Sequence, residues 1–157
     1  DISERKRAEE ELQYRLKFQN LITKVSSQFV NLHPAQIDDE IDRTLQLIGE
    51  FADADRSYVF QFSDDQKSLS CTHEWCADQI EPAIERIQNA PIDSFPWVLK
   101  QLLNGYMVLI PRVSELPPEA AQEKREFEQQ GTQSILAVPM PSIDSTSCLR
   151  LAASWSW

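Results

Sequence analysis

The chain has 157 residues, enough for one domain with a substantial core, and its 41% hydrophobic and 25% charged residues are ordinary for a globular fold. Fifteen Lys and Arg against twenty-five Asp and Glu leave a net charge of −10, so the basic patch needed to hold nucleic acid or an anionic membrane surface is lacking. No apolar run reaches the length of a bilayer span and the charged N-terminus is not a signal peptide, so a cytoplasmic protein without direct membrane contact is expected.

The first stretch reads as one long helix, capped by Ser3 and stopped by Pro34. Its first half is polar all round. From Leu12 an apolar stripe begins: Leu12, Leu16, Leu21, Ile22, Val25, Phe29 and Leu32. A solvated start followed by a packing half is either a surface helix with a charged start or, the favoured reading, a connecting helix that enters from a preceding domain and pairs with its own copy. After Pro34, Ile37, Ile41, Leu45, Ile48 and Phe51 or Ala52 follow helical spacing and predict a second helix. Leu12, Leu16, Ile22, Val25, Phe29, Ile41, Leu45 and Ile48 are the expected bundle and dimer residues.

The stretch Arg56–Cys76 is where chemistry concentrates. Two strand-forming runs flank the polar turn Asp64-Asp65-Gln66-Lys67 and predict a β-hairpin. Tyr58, Phe60 and Phe62 share one face of the first run; Leu69, Cys71, His73 and Trp75 are expected to share one face of the second. A polar connection with a short helix around 82–87 leads to SFPWVLKQLLNG. In that helix Ser94 is expected to cap, Pro96 to stand in the first turn and Gly105 just past the end. A short strand over Tyr106–Ile110 follows. The helix in PPEAAQEKREFEQQG is mostly solvent-facing, with Phe127 as its anchor, and Gln133–Val138 is a buried strand. In the tail, alternation from Leu149 to Trp157 predicts a strand antiparallel to Gln133–Val138. The fold class is therefore α+β, with a mainly antiparallel sheet.

Several chemistries fall away on spacing. Three glycines build no phosphate loop. The odd cysteine count (Cys71, Cys76, Cys148) fits a reducing compartment, not a disulfide framework. Cys71, His73 and Cys76 lack the further ligands of a zinc site, so no metal is expected. Glu74 is the only charge beside the cysteines in sequence, and it disfavours a thiolate. Phe60, Phe62, Trp75, Trp97 and Tyr106 either line a small-molecule cavity or pack as a filled core. If a cavity exists, His73, Arg112 and the Trp75 indole N–H are the polar groups expected to reach the ligand. No cofactor is named by the sequence.

The run SYVFQF, THEWC, SFPWVLKQLLNG and LPPEAAQEKREFEQQGTQSILAVPM resembles a GAF domain of the kind found in bacterial sensor kinases and cyclic-di-nucleotide enzymes. The resemblance covers roughly Leu12 to Met140. DISERKRAEEEL separately resembles the end of a PAS domain, so residues 1–11 are expected to be a linker helix and 12–157 the GAF-like domain, incomplete at its C-terminus. The resemblance implies a five- or six-stranded antiparallel sheet. The first two helices, with a closing helix, lie on one face; the middle helices cover a cavity on the other. It also implies a non-enzymatic sensory module in a two-component sensor histidine kinase or similar protein, a homodimer with neighbouring PAS and kinase or cyclase output domains. Two alternatives accompany it: a dimerisation spacer without ligand, and the branch of this fold that reduces methionine sulfoxide with cysteines. Three departures stand out. SIDSTSCLRLAASWSW replaces the usual last strand and helix, the Asn-Lys-Phe-Asp-Glu motif of cyclic-nucleotide binders is not recognisable, and the phytochrome-type Cys-His pair is absent.

Overall fold

A computed structural model describes residues 1–140 and 150–155. Helix α1 (Ile2–Phe29) has 28 residues and is about 42 Å long. Its cap is Asp1, not Ser3: the Asp1 carboxylate accepts the Ser3 N–H at 3.2 Å. Asn31, at φ 64°, carries the chain out of the helix in the left-handed conformation that Asn tolerates. The short 3₁₀ turn Pro34–Gln36 is then fastened by a reciprocal cap. Ala35 N–H donates to His33 Nδ1 at 3.2 Å, and His33 N–H donates to Gln36 Oε1 at 3.1 Å. Helix α2 (Ile37–Phe51) runs back along α1, with Asp38, Asp39 and Glu40 in its first turn, where the helix dipole favours negative charge.

α1 and α2 touch through aromatic side chains. The rings of Tyr14 and Phe18 lie 5.3 and 6.0 Å from that of Phe51. Leu21 and Val25 are half-buried, but no α1 residue is fully buried. Leu12, Leu16, Ile22 and Phe29 remain exposed. On α2, Leu45 is buried and Ile41 and Ile48 are half-buried.

The hairpin forms as expected, from β1 (Arg56–Phe62) and β2 (Ser68–Cys76). Its turn is held by Asp65, whose carboxylate accepts from Ser63 Oγ at 2.6 Å and from the Lys67 N–H at 3.1 Å. After β3 (Ala90–Pro91), helix α3 (Pro96–Leu103) and β4 (Val108–Ile110), helix α4 (Ala121–Gln129) leads into β5 (Ser134–Met140) and then β6 (Arg150–Trp155). Gly105 and Gly131, both at positive φ, follow α3 and α4. The strand order is β3-β2-β1-β6-β5-β4, and every pairing is antiparallel. The tail strand thus pairs with β5 as the alternation predicts, and it also pairs with β1. It closes the sheet from the middle.

One face of the sheet carries the core. Phe62 and Leu69 from the hairpin, Ile110 and Ile135 from the far strands, Leu99 and Leu102 from α3, and Phe127 from α4 pack together. α2 covers β1 and β2 on the opposite face. Farther along, Leu109 of β4 and Val138 of β5 are exposed.

Candidate functional site

The hairpin contains a register shift. Val59 pairs with His73, but Phe60 pairs with Cys71, leaving Thr72 as the extra residue of a β-bulge. The Thr72 hydroxyl donates to the Val59 carbonyl at 3.2 Å, holding the bulge in place. A bulge shifts side-chain parity by one, and this corrects the expectation that Leu69, Cys71, His73 and Trp75 share a face. Leu69 and Cys71 stay with Phe62 and Phe60 on the α3 side. His73 and Trp75 pair with Val59 and Ser57, on the α2 side.

On the α2 side the hairpin grips the helix at three points. His73 Nε2 lies 3.2 Å from Asp38 Oδ1 while its Nδ1 lies 2.9 Å from Thr72 Oγ1. Ser57, almost completely buried, donates its hydroxyl to the Leu45 carbonyl at 2.7 Å. Trp75 packs against Gly49, so that a Cβ there would overlap the indole ring. A lone glycine in an otherwise regular helical pattern marks such a close approach.

On the α3 side, Arg56, Tyr58, Glu74 and Cys76 gather at the open end of the hairpin. Arg56 Nη1 lies 3.4 Å from the Tyr58 hydroxyl, and its Nη2 donates to the Glu81 carbonyl at 2.7 Å. The Glu74 carboxylate accepts the N–H groups of Ala83, at 2.9 and 3.0 Å, and Ile84, at 3.1 Å. Burial raises the Tyr58 hydroxyl pKa despite the neighbouring guanidinium. Burial, and then the Glu74 charge, push the Cys71 thiol up to about 12 and raise that of Cys76 as well. Both environments disfavour the thiolate that a cysteine-dependent reductase uses.

The seven residues expected to meet around a ligand divide into three groups. Phe60, Phe62 and Trp97 lie in or against the core under α3. His73 and Trp75 lie beneath α2. Tyr106, 67% exposed, stands just before β4, and Arg112 pairs with Glu115 at 3.2 Å on the surface. Arg112 lines a half-open groove of about 630 Å³ with Pro111, Val113, Ser114, Glu128, Thr132 and Gln133, at the end of α4. Among the described residues no three His, Cys, Asp or Glu side chains assemble as a metal site, and no helix is long and apolar enough to cross a membrane.

No family model matches the sequence. Over 108 residues, 66% of the chain, it is 32% identical to the methanogenesis regulatory histidine kinase FilI of Methanothrix harundinacea (strain 6Ac), and the chain spans 12% of that protein's length. Among solved structures, the phycocyanobilin-bound GAF domain from a cyanobacterial phytochrome superposes with a TM-score of 0.70 at 17% identity, over 88% of this chain and 80% of that one. The chromophore-binding domain of Stigmatella aurantiaca phytochrome P1 does so at 0.65 and 13% identity, over 89% and 52%. The GAF domain from a phosphoenolpyruvate-protein phosphotransferase of Coxiella burnetii gives 0.62 and 11% identity, over 88% and 76%.

Proposed function

With the fold of a GAF domain as the premise, we propose that the chain is the sensory module of a cytoplasmic signal-transduction protein, a sensor histidine kinase in the first instance. It is non-catalytic, takes a small molecule on the α3 side of the hairpin, and relays the change through α2 and α1. The observation that carries this reading is the two-faced hairpin. Residues 56–58 and 73–76 alternate between contacts on the α3 side and contacts that hold α2. A ligand that favours one arrangement of Arg56 and Glu74 therefore acts on Ser57, His73 and Trp75, their direct chain neighbours. Such relay requires unequal binding to two states. The 32% identical relative is a regulatory histidine kinase, and two of the structural relatives are phytochrome domains, one of them bilin-bound.

The exposed Leu12, Leu16, Ile22 and Phe29 support a homodimer through α1, with residues 1–11 as the linker from a PAS domain. Light scattering at rising concentration is expected to give a dimer; a monomer throughout removes this part. Ligand binding is tested by thermal shift against cyclic nucleotides, tetrapyrroles and small organic acids. A ligand at a hundred times its Kd adds about 2.7 kcal/mol, which raises Tm by roughly 5–10 °C in a domain of this size. The buried apolar cluster around Leu102 supports a second reading, a dimerisation spacer without ligand. No stabilising compound together with a stable dimer would establish that reading instead.

A further inference from the structure

Residues 78–86 cross the end of the hairpin without strand or α-helix, apart from the 3₁₀ turn Ile84–Arg86. On both sides the backbone is fixed to the sheet. Ala77 N–H donates to the Asp55 carbonyl at 2.8 Å, and Cys71 N–H donates to the Ile87 carbonyl at 2.9 Å. Between these points two side chains of opposite charge hold the segment: Arg56 grips the Glu81 carbonyl, and Glu74 grips the Ala83 and Ile84 N–H groups. Ala83 is buried beneath. Gln79, near the start of the segment, is at φ 67°, a conformation that non-glycine residues seldom adopt.

We propose that residues 78–86 form a strap latched shut by Glu74 and Arg56, which opens as one unit while the sheet stays folded. Its fixed ends are backbone bonds of the sheet edge. Its middle is held by charge-assisted bonds to Arg56 and Glu74, with one neutral tie, Gln88 Nε2, donating to the Ile84 carbonyl at 2.7 Å and to the Cys71 carbonyl at 2.8 Å; losing either charged latch is what frees the span. The latch does not depend on any role in signalling, because it is a property of the free chain.

Amide hydrogen exchange on the whole chain tests this. In Glu74→Ala the Ala83 and Ile84 amides lose protection by about tenfold or more, as expected when a charge-assisted acceptor is removed. The decisive amides are Ile80 and Ile87, which donate to Ala77 and Ala83 carbonyls and never touch Glu74. They lose protection in parallel if the strap moves as a unit, while the β1–β2 ladder from Tyr58 to Leu69 is unchanged. Arg56→Gln, which leaves the Glu74 bonds in place, exposes the same four amides. A change confined to Ala83 and Ile84 overturns the proposal. So does a loss of protection that spreads equally into the ladder.

Discussion

Glu123 offers the sharpest test of how this fold is held. It sits in the first turn of α4 and is completely buried, yet it serves α3. One carboxylate oxygen accepts the N–H groups of both Trp97 and Val98, the latter at 3.2 Å. In α3 the first helical position is Pro96, which has no N–H, and neither Ser94 nor Phe95 caps with its side chain. Glu123 therefore satisfies the free donors that follow, as a local cap would, from 25 residues away or more. The second oxygen has no partner among the described residues. In Glu123→Ala one buried and one partly buried donor are orphaned and a charge-assisted pair is lost, a cost of about 3 kcal/mol. For a domain of this length that is a fall in Tm of roughly 6–12 °C. Glu123→Gln keeps an acceptor oxygen, but it loses the charge–dipole part and puts an amide N–H2 where the partnerless oxygen stood, so its cost is smaller than that of Glu123→Ala, about 1–2 kcal/mol. Denaturant unfolding at constant m-value reads both. A Glu123→Ala loss below about 1 kcal/mol would refute the capping argument. Equal losses in the two variants would assign the effect to charge rather than hydrogen bonding.

Gly49→Ala gains up to about 1 kcal/mol of helix propensity but drives a methyl into the Trp75 ring, and overpacking of this kind costs about 1–3 kcal/mol. The net expectation is a destabilised protein with an altered near-ultraviolet dichroism band, and a gain in stability would show that α2 can shift off the hairpin freely. The Cys71 thiol gives a pH signature. Its folded pKa is raised from 9.0 to about 12, so the stability it contributes is complete below pH 9 and is lost as pH rises through that window. The slope is about 1.4 kcal/mol per pH unit. Denaturation midpoints between pH 8 and 11 should fall more steeply in the native chain than in Cys71→Ala, and parallel curves would count against burial of that thiol.

Much of the architecture was legible because its signals are local. Helical spacing from Ile37 to Phe51, the polar turn after Phe62, and Gly105 and Gly131 at helix ends each follow from neighbouring residues. Even the tail strand was visible in its alternation. What escaped was set by partners distant in sequence. PPEAAQEKREFEQQG reads as a charged, mostly wet helix, yet its Glu123 is fully buried, because the donors it serves belong to α3. Arg56 and Glu74 read as ordinary strand charges; their roles depend on a loop that folds back over them. Gly49 carried a signal, a single glycine inside a helix, but nothing in the sequence named Trp75 as the group that needs the space.

The bulge at Thr72 is the most consequential of these hidden features. SLSCTHEWC alternates without a break, so the sequence alone aligns Leu69, Cys71, His73 and Trp75 on one face. The shift exists only in the pairing with β1, where one residue is left over opposite Val59 and Phe60. Without it, Trp75 and His73 would point into a core already occupied by Phe62, Leu69 and Leu102, and α2 would face Glu74 and Cys76. With it, an apolar indole meets a glycine, a histidine meets a carboxylate, and Glu74 is placed on the side where the strap's N–H groups lie. The two faces of the hairpin thus acquire different tasks from consecutive residues. Any movement of residues 73–76 that serves one face must be felt on the other, because neighbouring side chains on a strand cannot turn independently.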